Sequence, residues 1–254
     1  MKVLVLGGTG EARSLAAALA CRPRTEFVSS LAGRVRDPVL PAGLVRLGGF
    51  GGTAGLLAYL RAEHIDAVVD ATHPFAATIT THAERACAVA DVPLVLLRRP
   101  GWTPSAADDW LRVASILDAP NVIDALVPTD SCVFLTTGRR DLATFAGDVR
   151  RRYLVRTVDP PQEPFPPRTE FLLARGPYTL AGERELMRVH RVRLLVTKDS
   201  GGTMTSAKLE AARRLAIRVL IVSRPPVPAG ARQVEDVAGA LRWLDTVGGS
   251  AGRG

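Results

Sequence analysis

The stretch 3-VLVLGGTGEAR-13 decides the fold. Val3 to Leu6 are four consecutive apolar residues, the pattern of a buried strand, and Gly7, Gly8 and Gly10 then crowd a turn into a helix that opens at Glu11. Glycines let backbone N–H groups approach a pyrophosphate closely, and the helix N-terminus behind them adds partial positive charge. Counted as G-x-G-x-x-G from Gly8, the third glycine position holds Arg13, so the turn is nearer to a looser Gly-Gly-Thr-Gly form than to the full dinucleotide fingerprint. The bland alternative is that the glycines only tighten a strand-to-helix turn; a place straight after an apolar strand argues for a phosphate cradle.

Outward from this stretch the alternation continues. A helix over 11–20 is followed by strands at 27–31 and 45–47, a helix over 53–62, a strand at 67–71, a helix through 89 and a strand at 94–97. Apolar strands with helical crossovers predict a doubly wound parallel sheet whose functional loops leave the carboxyl ends of the strands. Residues 98–130 carry Pro100, Pro104, Pro120 and Pro128 and read as a connection holding one short strand and one helix. From Ser131 the alternation resumes, with strands at 132–136, 153–158, 171–174, 193–197 and 218–223 and helices over 142–151, 180–190, 205–215 and 234–246. The expectation is an α/β protein of two Rossmann-like domains with mainly parallel sheets and an interdomain cleft. An NADP-binding domain is expected at 1–98, a crossover at 99–130 and a substrate domain at 131–247.

A chain of 254 residues with 47% hydrophobic and 23% charged residues is ordinary for a globular protein. No apolar run approaches the ~20 residues of a membrane span, and Met1-Lys2 leads directly into the first strand, so a cytoplasmic protein without a membrane partner is expected. Cys21, Cys87 and Cys132 are far apart in apolar context and read as reduced core residues, without metal-ligand spacing. The net charge of +8 is spread along the chain, and its densest cluster, Arg150-Arg151-Arg152, is expected at a helix C-terminus, where cations are favoured. No nucleic-acid motif accompanies it. A polyanionic small molecule explains the balance equally well, and a monomer is the expected state.

Four loops could carry chemistry. After the second strand, Ser29, Ser30 and Arg34 stand where an acidic residue would bind a ribose 2′-hydroxyl, a substitution that suits a 2′-phosphate and points to NADP. Arg36, like Arg34, could equally be ordinary loop charge. Thr72-His73-Pro74 follows the fourth strand, and the proline restricts the backbone that carries the imidazole. Thr136-Thr137-Gly138-Arg139-Arg140 puts two guanidiniums at a helix start, which opposes the helix dipole unless an anion sits between them. Thr197-Lys198-Asp199-Ser200-Gly201-Gly202 precedes a helix carrying Lys208; its glycines can form an anion nest, but Walker A spacing is absent. There is no G-x-S-x-G elbow, and none of Tyr59, Tyr153 and Tyr178 begins a Tyr-x-x-x-Lys.

With GGTGEAR at 7–13, SLAGR at 30–34, DATHPFA at 70–76, TTGRRDL at 136–142, RGPY at 175–178 and TKDSGG at 197–202 in order, the chain resembles the precorrin-6A reductase family of cobalamin biosynthesis over nearly its whole length. The resemblance implies NADPH as cofactor and reduction of one double bond of a corrin precursor, precorrin-6A to precorrin-6B. A sister branch acts on the cobalt-loaded intermediate of the anaerobic route; the metal-free substrate is favoured here. A non-catalytic NADP-sensing Rossmann protein is the rival from another class. A macrocycle rimmed by carboxylates is a polyanion that a basic site would hold. On this reading Gly7, Gly8, Thr9, Gly10 and Glu11 form the cofactor turn, Ser29, Ser30 and Arg34 the adenosine end, and Thr72, His73 and Pro74 the nicotinamide side. Arg139, Arg175, Lys198, Ser200, Gly201 and Lys208 are candidate substrate or phosphate contacts, and Asp199, His73 and Lys198 the catalytic candidates, with no metal.

Overall fold

The computed structural model describes residues 1–33 and 39–251. In chain order the first elements are β1 (Lys2–Leu6), α1 (Gly10–Ala20), β2 (Glu26–Leu31), β3 (Leu44–Leu47), α2 (Gly52–Ala62), β4 (Ala67–Asp70), α3 (Ala77–Ala90) and β5 (Leu94–Leu97). Then follow β6 (Trp110–Val113), α4 (Ala119–Leu126), β7 (Cys132–Leu135), β8 (Arg152–Thr157), β9 (Thr169–Leu173), α5 (Leu180–Val189), β10 (Val192–Lys198), α6 (Ala207–Arg214) and β11 (Arg218–Val222). The chain closes with β12 (Arg232–Val234) and α7 (Val237–Ala251). Two units result: one built from the chain up to Pro100 and again from Pro225, the other from Gly101 to Arg224.

The first unit shows why β1 reads as a continuous apolar run. Side chains alternate across a strand, and both faces of this sheet are covered. Val3 and Val5 pack with Leu15 and Leu19 of α1 and Trp243 and Leu244 of α7, whereas Leu4 and Leu6 pack with Leu56 and Leu60 of α2 and Ala83 and Cys87 of α3. The sheet is parallel in the order β3-β2-β1-β4-β5-β12. The second unit repeats the plan as β9-β8-β7-β10-β11-β6, again parallel, with Phe134, Leu195 and Ile221 packing against Met187 of α5 and Leu209 of α6. Each sheet's outermost strand beyond β5 or β11 thus comes from elsewhere in the chain: β12 completes the first, β6 the second.

The structure differs from the sequence expectation in several places. The 99–130 segment is not a separate connection: β6 pairs with β11, and from Gly101 the chain is part of the second unit. The last helix belongs with the first unit, because Ala240, Trp243 and Leu244 are buried against α1 and its sheet. Residues 142–151 form no α-helix; a 3-10 helix spans Arg139–Phe145, anchored by buried Leu142 and Phe145. Arg150-Arg151-Arg152 is accordingly no helix end. Arg151 is buried, donating to Val127 O (2.8 Å), Asp124 Oδ1 (2.6 Å) and Asp148 Oδ2 (2.9 Å), while Arg152 opens β8. Cys87 and Cys132 are buried as expected, but Cys21 is exposed at the end of α1; all three are free thiols. Among the described residues no helix is long and apolar enough to cross a membrane.

Candidate functional site

In the first unit β1 and β4 lie side by side while β2 and β5 lead away in opposite directions, the switch point at which doubly wound sheets bind ligands. The loop after β1 is held on three sides. Gly7 N donates to Ser30 O (2.9 Å), and a Cβ on Gly7 would stand 3.2 Å from Leu31 Cδ2, so a side chain there would press on β2. Gly8 has φ +113°, with nothing within 4 Å of a Cβ position: it takes a backbone conformation that other residues resist, and it faces open space. Thr9 caps α1 by accepting from Ala12 N (3.1 Å) and donates to Ala71 O (2.7 Å), which ties the β1 loop to the β4 loop. This open, glycine-lined helix N-terminus fits a phosphate group. Gly10 is the first residue of the helix, and Glu11 in its first turn pairs with Arg99 (2.6 Å), which brings a cation to the same helix end.

The adenosine side differs from expectation. Ser29 and Ser30 are interior positions of β2 and buried, so their hydroxyls do not line an open strand end; Ser29 Oγ has no hydrogen-bond partner. Arg34 and Arg36 lie outside the described residues. The cation that is placed at this edge is Arg46 of β3, in register with Ser30. Its guanidinium lies 4.0 Å from the Phe50 ring centroid and donates to Gly48 O and Gly49 O.

Beyond β4 the Thr72-His73-Pro74 loop is organised by a residue the motif reading passed over. Asp70 is buried; its Oδ1 accepts from Thr72 N (3.0 Å) and Thr72 Oγ1 (2.6 Å), and its Oδ2 accepts from Thr80 Oγ1 (2.6 Å). Arg98, at the end of β5, donates to Pro74 O (2.9 Å), and burial holds its guanidinium below the ordinary arginine range. His73 is exposed, and its Nδ1 accepts from Phe75 N (3.2 Å), so the neutral ring carries its proton on Nε2.

The second unit has a switch point of its own between β7 and β10, and the other two predicted loops meet there. Lys198 Nζ pairs with Asp141 Oδ2 (2.7 Å), joining the β10 loop to the segment after Gly138. Gly138, Gly201 and Gly202 all have positive φ, a backbone conformation that glycine takes up without steric cost. Arg139 and Arg140 are exposed, and Arg139 has Asp159 at 3.4 Å, so a carboxylate rather than an anion-free gap faces it. Ser200 is half-buried, its N–H turned back onto Lys198 O (2.7 Å), and Arg175 is exposed after β9.

Asp199 and Lys208 are placed otherwise than as reacting groups. Asp199 is buried; Oδ1 accepts from Trp102 N (2.9 Å) and Oδ2 from Arg112 Nη1 (3.0 Å), so both oxygens are engaged in clamping the loop to the 101–112 segment. A Cβ on Gly101 would come within 2.9 Å of Asp199 Oδ2, which leaves no room for a side chain there. Lys208 is buried with its ammonium 5.3 Å from the Trp102 ring centroid. Desolvation, reinforced by Arg156 and partly offset by Glu183, brings its pKa down to about 7. Arg156 and Glu183 form a buried pair at 2.7 Å, with the guanidinium 4.0 Å from the Tyr178 ring centroid.

The geometry therefore offers a phosphate cradle with a bridged neighbouring loop in one unit and a basic, glycine-rich loop pair in the other. Over residues 2–245 the chain matches the family described as precorrin-6x reductase CbiJ/CobK. It is 52% identical to a Rhodococcus erythropolis protein named precorrin-6A reductase, over 97% of this chain and 98% of that one. It is 48% identical to a Mycobacterium tuberculosis protein of the same name, over 96% and 97% of the two chains. A solved structure titled CobK precorrin-6A reductase superposes with a TM-score of 0.90 at 41% identity, covering 98% of this chain and 97% of that one. With the family match spanning almost every residue from β1 to α7, the chain belongs to the precorrin-6x reductase family.

Proposed function

We propose that the chain reduces precorrin-6A to precorrin-6B with NADPH in cobalamin biosynthesis. The observation that carries this reading is the match of residues 2–245 to a reductase family, joined to a glycine cradle at the β1–β4 switch point that fits a dinucleotide phosphate. When bound, the reduced nicotinamide supplies the hydride; the protein supplies position, charge and a proton. Gly7 to Thr9 hold the pyrophosphate at the N-terminus of α1. NADPH is favoured over NADH because no acidic residue stands among Ser29, Ser30, Leu31, Ala32 and Gly33, whereas Arg46 is at the neighbouring strand end and Arg34 follows in sequence.

In the second unit Arg139, Arg175 and Lys198 bind substrate carboxylates, with the Lys198 ammonium oriented by its pair with Asp141. His73, with its Nε2–H directed away from the Phe75 contact, is the proton donor on the cofactor side. Asp199 positions the Lys198 loop rather than reacting, since both of its oxygens are engaged. The proposed enzyme works as a cytoplasmic monomer on a diffusing anion, without nucleic acid or membrane. Anaerobic addition of precorrin-6A to the protein with NADPH should consume one NADPH per macrocycle and give a product heavier by two hydrogens. NADPH binding without oxidation would overturn the reading in favour of a sensor. Arg34→Ala should raise the KM for NADPH by roughly 10- to 100-fold, the loss of a hydrogen bond to a charged group of ~1.5–3 kcal/mol, and that for NADH much less; equal changes would remove Arg34 from the 2′-phosphate.

A further inference from the structure

The loop over 198–202 in the second unit has little in its own sequence to fix its shape. Gly201 and Gly202 have φ +65° and +74°, a region that glycine enters and leaves at little cost, so the restraint on Lys198 has to come from outside the loop. It comes from residues far away in the chain. Trp102 spans the loop, its backbone N donating to Asp199 Oδ1 (2.9 Å) and its Nε1 to Gly202 O (3.0 Å). Arg112 closes a ring on this clasp, donating from Nη1 to Asp199 Oδ2 (3.0 Å) and from Nη2 to Trp102 O (2.9 Å). It stands on the edge strand β6, opposite Ile221 of β11, so its side chain reaches past β11 to the loop that leaves β10. The backbone of Asp199 is tied as well: its N–H donates to Val222 O (2.9 Å), and its carbonyl accepts from Arg224 Nε (2.8 Å).

The guanidinium decides whether this ring holds. Asp199 is buried, and a buried carboxylate that loses its cation is left with an uncompensated charge. Water reaches that charge only if the loop lifts, and Lys198 directly precedes Asp199, so the ammonium shifts with it. Asp141 orients the ammonium from the segment after Gly138, but it does not touch the loop's glycines. We infer that Arg112 is a positioning residue for the substrate: through Asp199 and Trp102 it fixes the loop in the shape that offers Lys198 to a substrate carboxylate. The inference rests on the proposed role of Lys198 in carboxylate binding.

Steady-state kinetics with precorrin-6A and NADPH test it. Arg112→Ala should raise the KM for precorrin-6A at least tenfold, with kcat and the KM for NADPH within threefold of wild type. The Arg112 side chain is 39% exposed, so free guanidinium can reach the vacated place. Millimolar guanidinium chloride should therefore restore most of the lost affinity, and sodium chloride at the same concentration should not. Arg112→Lys keeps the charge but not the fork that reaches Asp199 and Trp102 together; its KM should be intermediate, and it stands in if the alanine variant fails to fold. Asp199→Asn should raise the KM by a similar factor, and adding Arg112→Ala to it should give no further increase, because the two residues act as one unit. An additive increase would overturn the inference by placing Arg112 on the substrate itself. A wild-type KM in Arg112→Ala, beside a raised KM in Lys198→Ala, would overturn the inference alone. A wild-type KM in Lys198→Ala would remove the loop from substrate binding, and the inference with it.

Discussion

Lys208→Met should make the second unit's stability less dependent on pH. Lys208 is buried and its pKa falls from an ordinary 10.5 to about 7. A depressed lysine sheds its proton in the folded state before the unfolded chain does, so between pH 7 and 10 the unfolded state binds more protons and stability rises with pH. The slope is at most ~1.4 kcal/mol per pH unit, and a titration centred near 7 gives a gain of about 2 kcal/mol between pH 7 and pH 9. Below pH 7 both states are charged and the wild type carries the full desolvation cost. Methionine has similar bulk and no charge, and gives up a cation–π contact with Trp102 of ~0.5–2 kcal/mol. Urea unfolding of both proteins, followed by tryptophan fluorescence from pH 6 to 9, should show the wild type gaining about 2 kcal/mol relative to Lys208→Met across pH 7–9. Parallel stability curves would refute the reasoning and mean that Lys208 stays charged in its buried place.

Asp199→Asn should lower stability by ~1–3 kcal/mol, because a hydrogen bond to the Arg112 cation loses its charged acceptor, while 2′,5′-ADP affinity stays unchanged; a variant as stable as wild type would show that the clamp contributes nothing. Thr9→Val should lose ~1–2 kcal/mol of stability as the α1 cap disappears, and with the Ala71 link gone NADP⁺ should bind more weakly. Thermal melts and titration of the cofactor check both effects, and an unchanged affinity would exclude the loop bridge from cofactor binding.

Much of the architecture was legible because buried parallel strands are written as unbroken apolar runs: VLVL at 3–6, AVV at 67–69, LVLL at 94–97 and LLV at 194–196 each fall inside a strand. What the sequence hid was allegiance. Arg232–Val234 is only three residues long and mostly exposed, so it carries no run, and Trp110–Val113 is an edge strand with two exposed positions. Nothing local distinguishes a last helix that serves the second sheet from one that returns to the first; only the Trp243 and Leu244 contacts do. At the site, glycine spacing located the open strand-to-helix turn after β1, but residue type alone did not show which carboxylates are held in structural hydrogen bonds. Asp199 sits in a loop rich in ligand-like residues and is engaged by Trp102 and Arg112, about a hundred residues earlier in the chain. Asp70 closes an apolar strand, where a carboxylate signals local hydrogen bonding, and that clue was available.

The placing of β12 against β5 also governs the order in which a nascent chain can finish folding. Strands β1 to β5 leave the ribosome first, yet the edge of β5 is covered only when Arg232–Val234 emerges, after the whole of the second unit. At ~5–20 residues per second that wait is on the order of ten seconds. Throughout it an apolar strand with unpaired N–H and C=O groups stands open, together with the seat of Trp243, which is the kind of edge that recruits other chains. Truncation before Pro225 would make that transient state permanent, whereas Gly101–Arg224 is continuous and has its sixth strand in hand from the start. Vectorial synthesis thus leaves the first unit's sheet as the last part of the molecule to close.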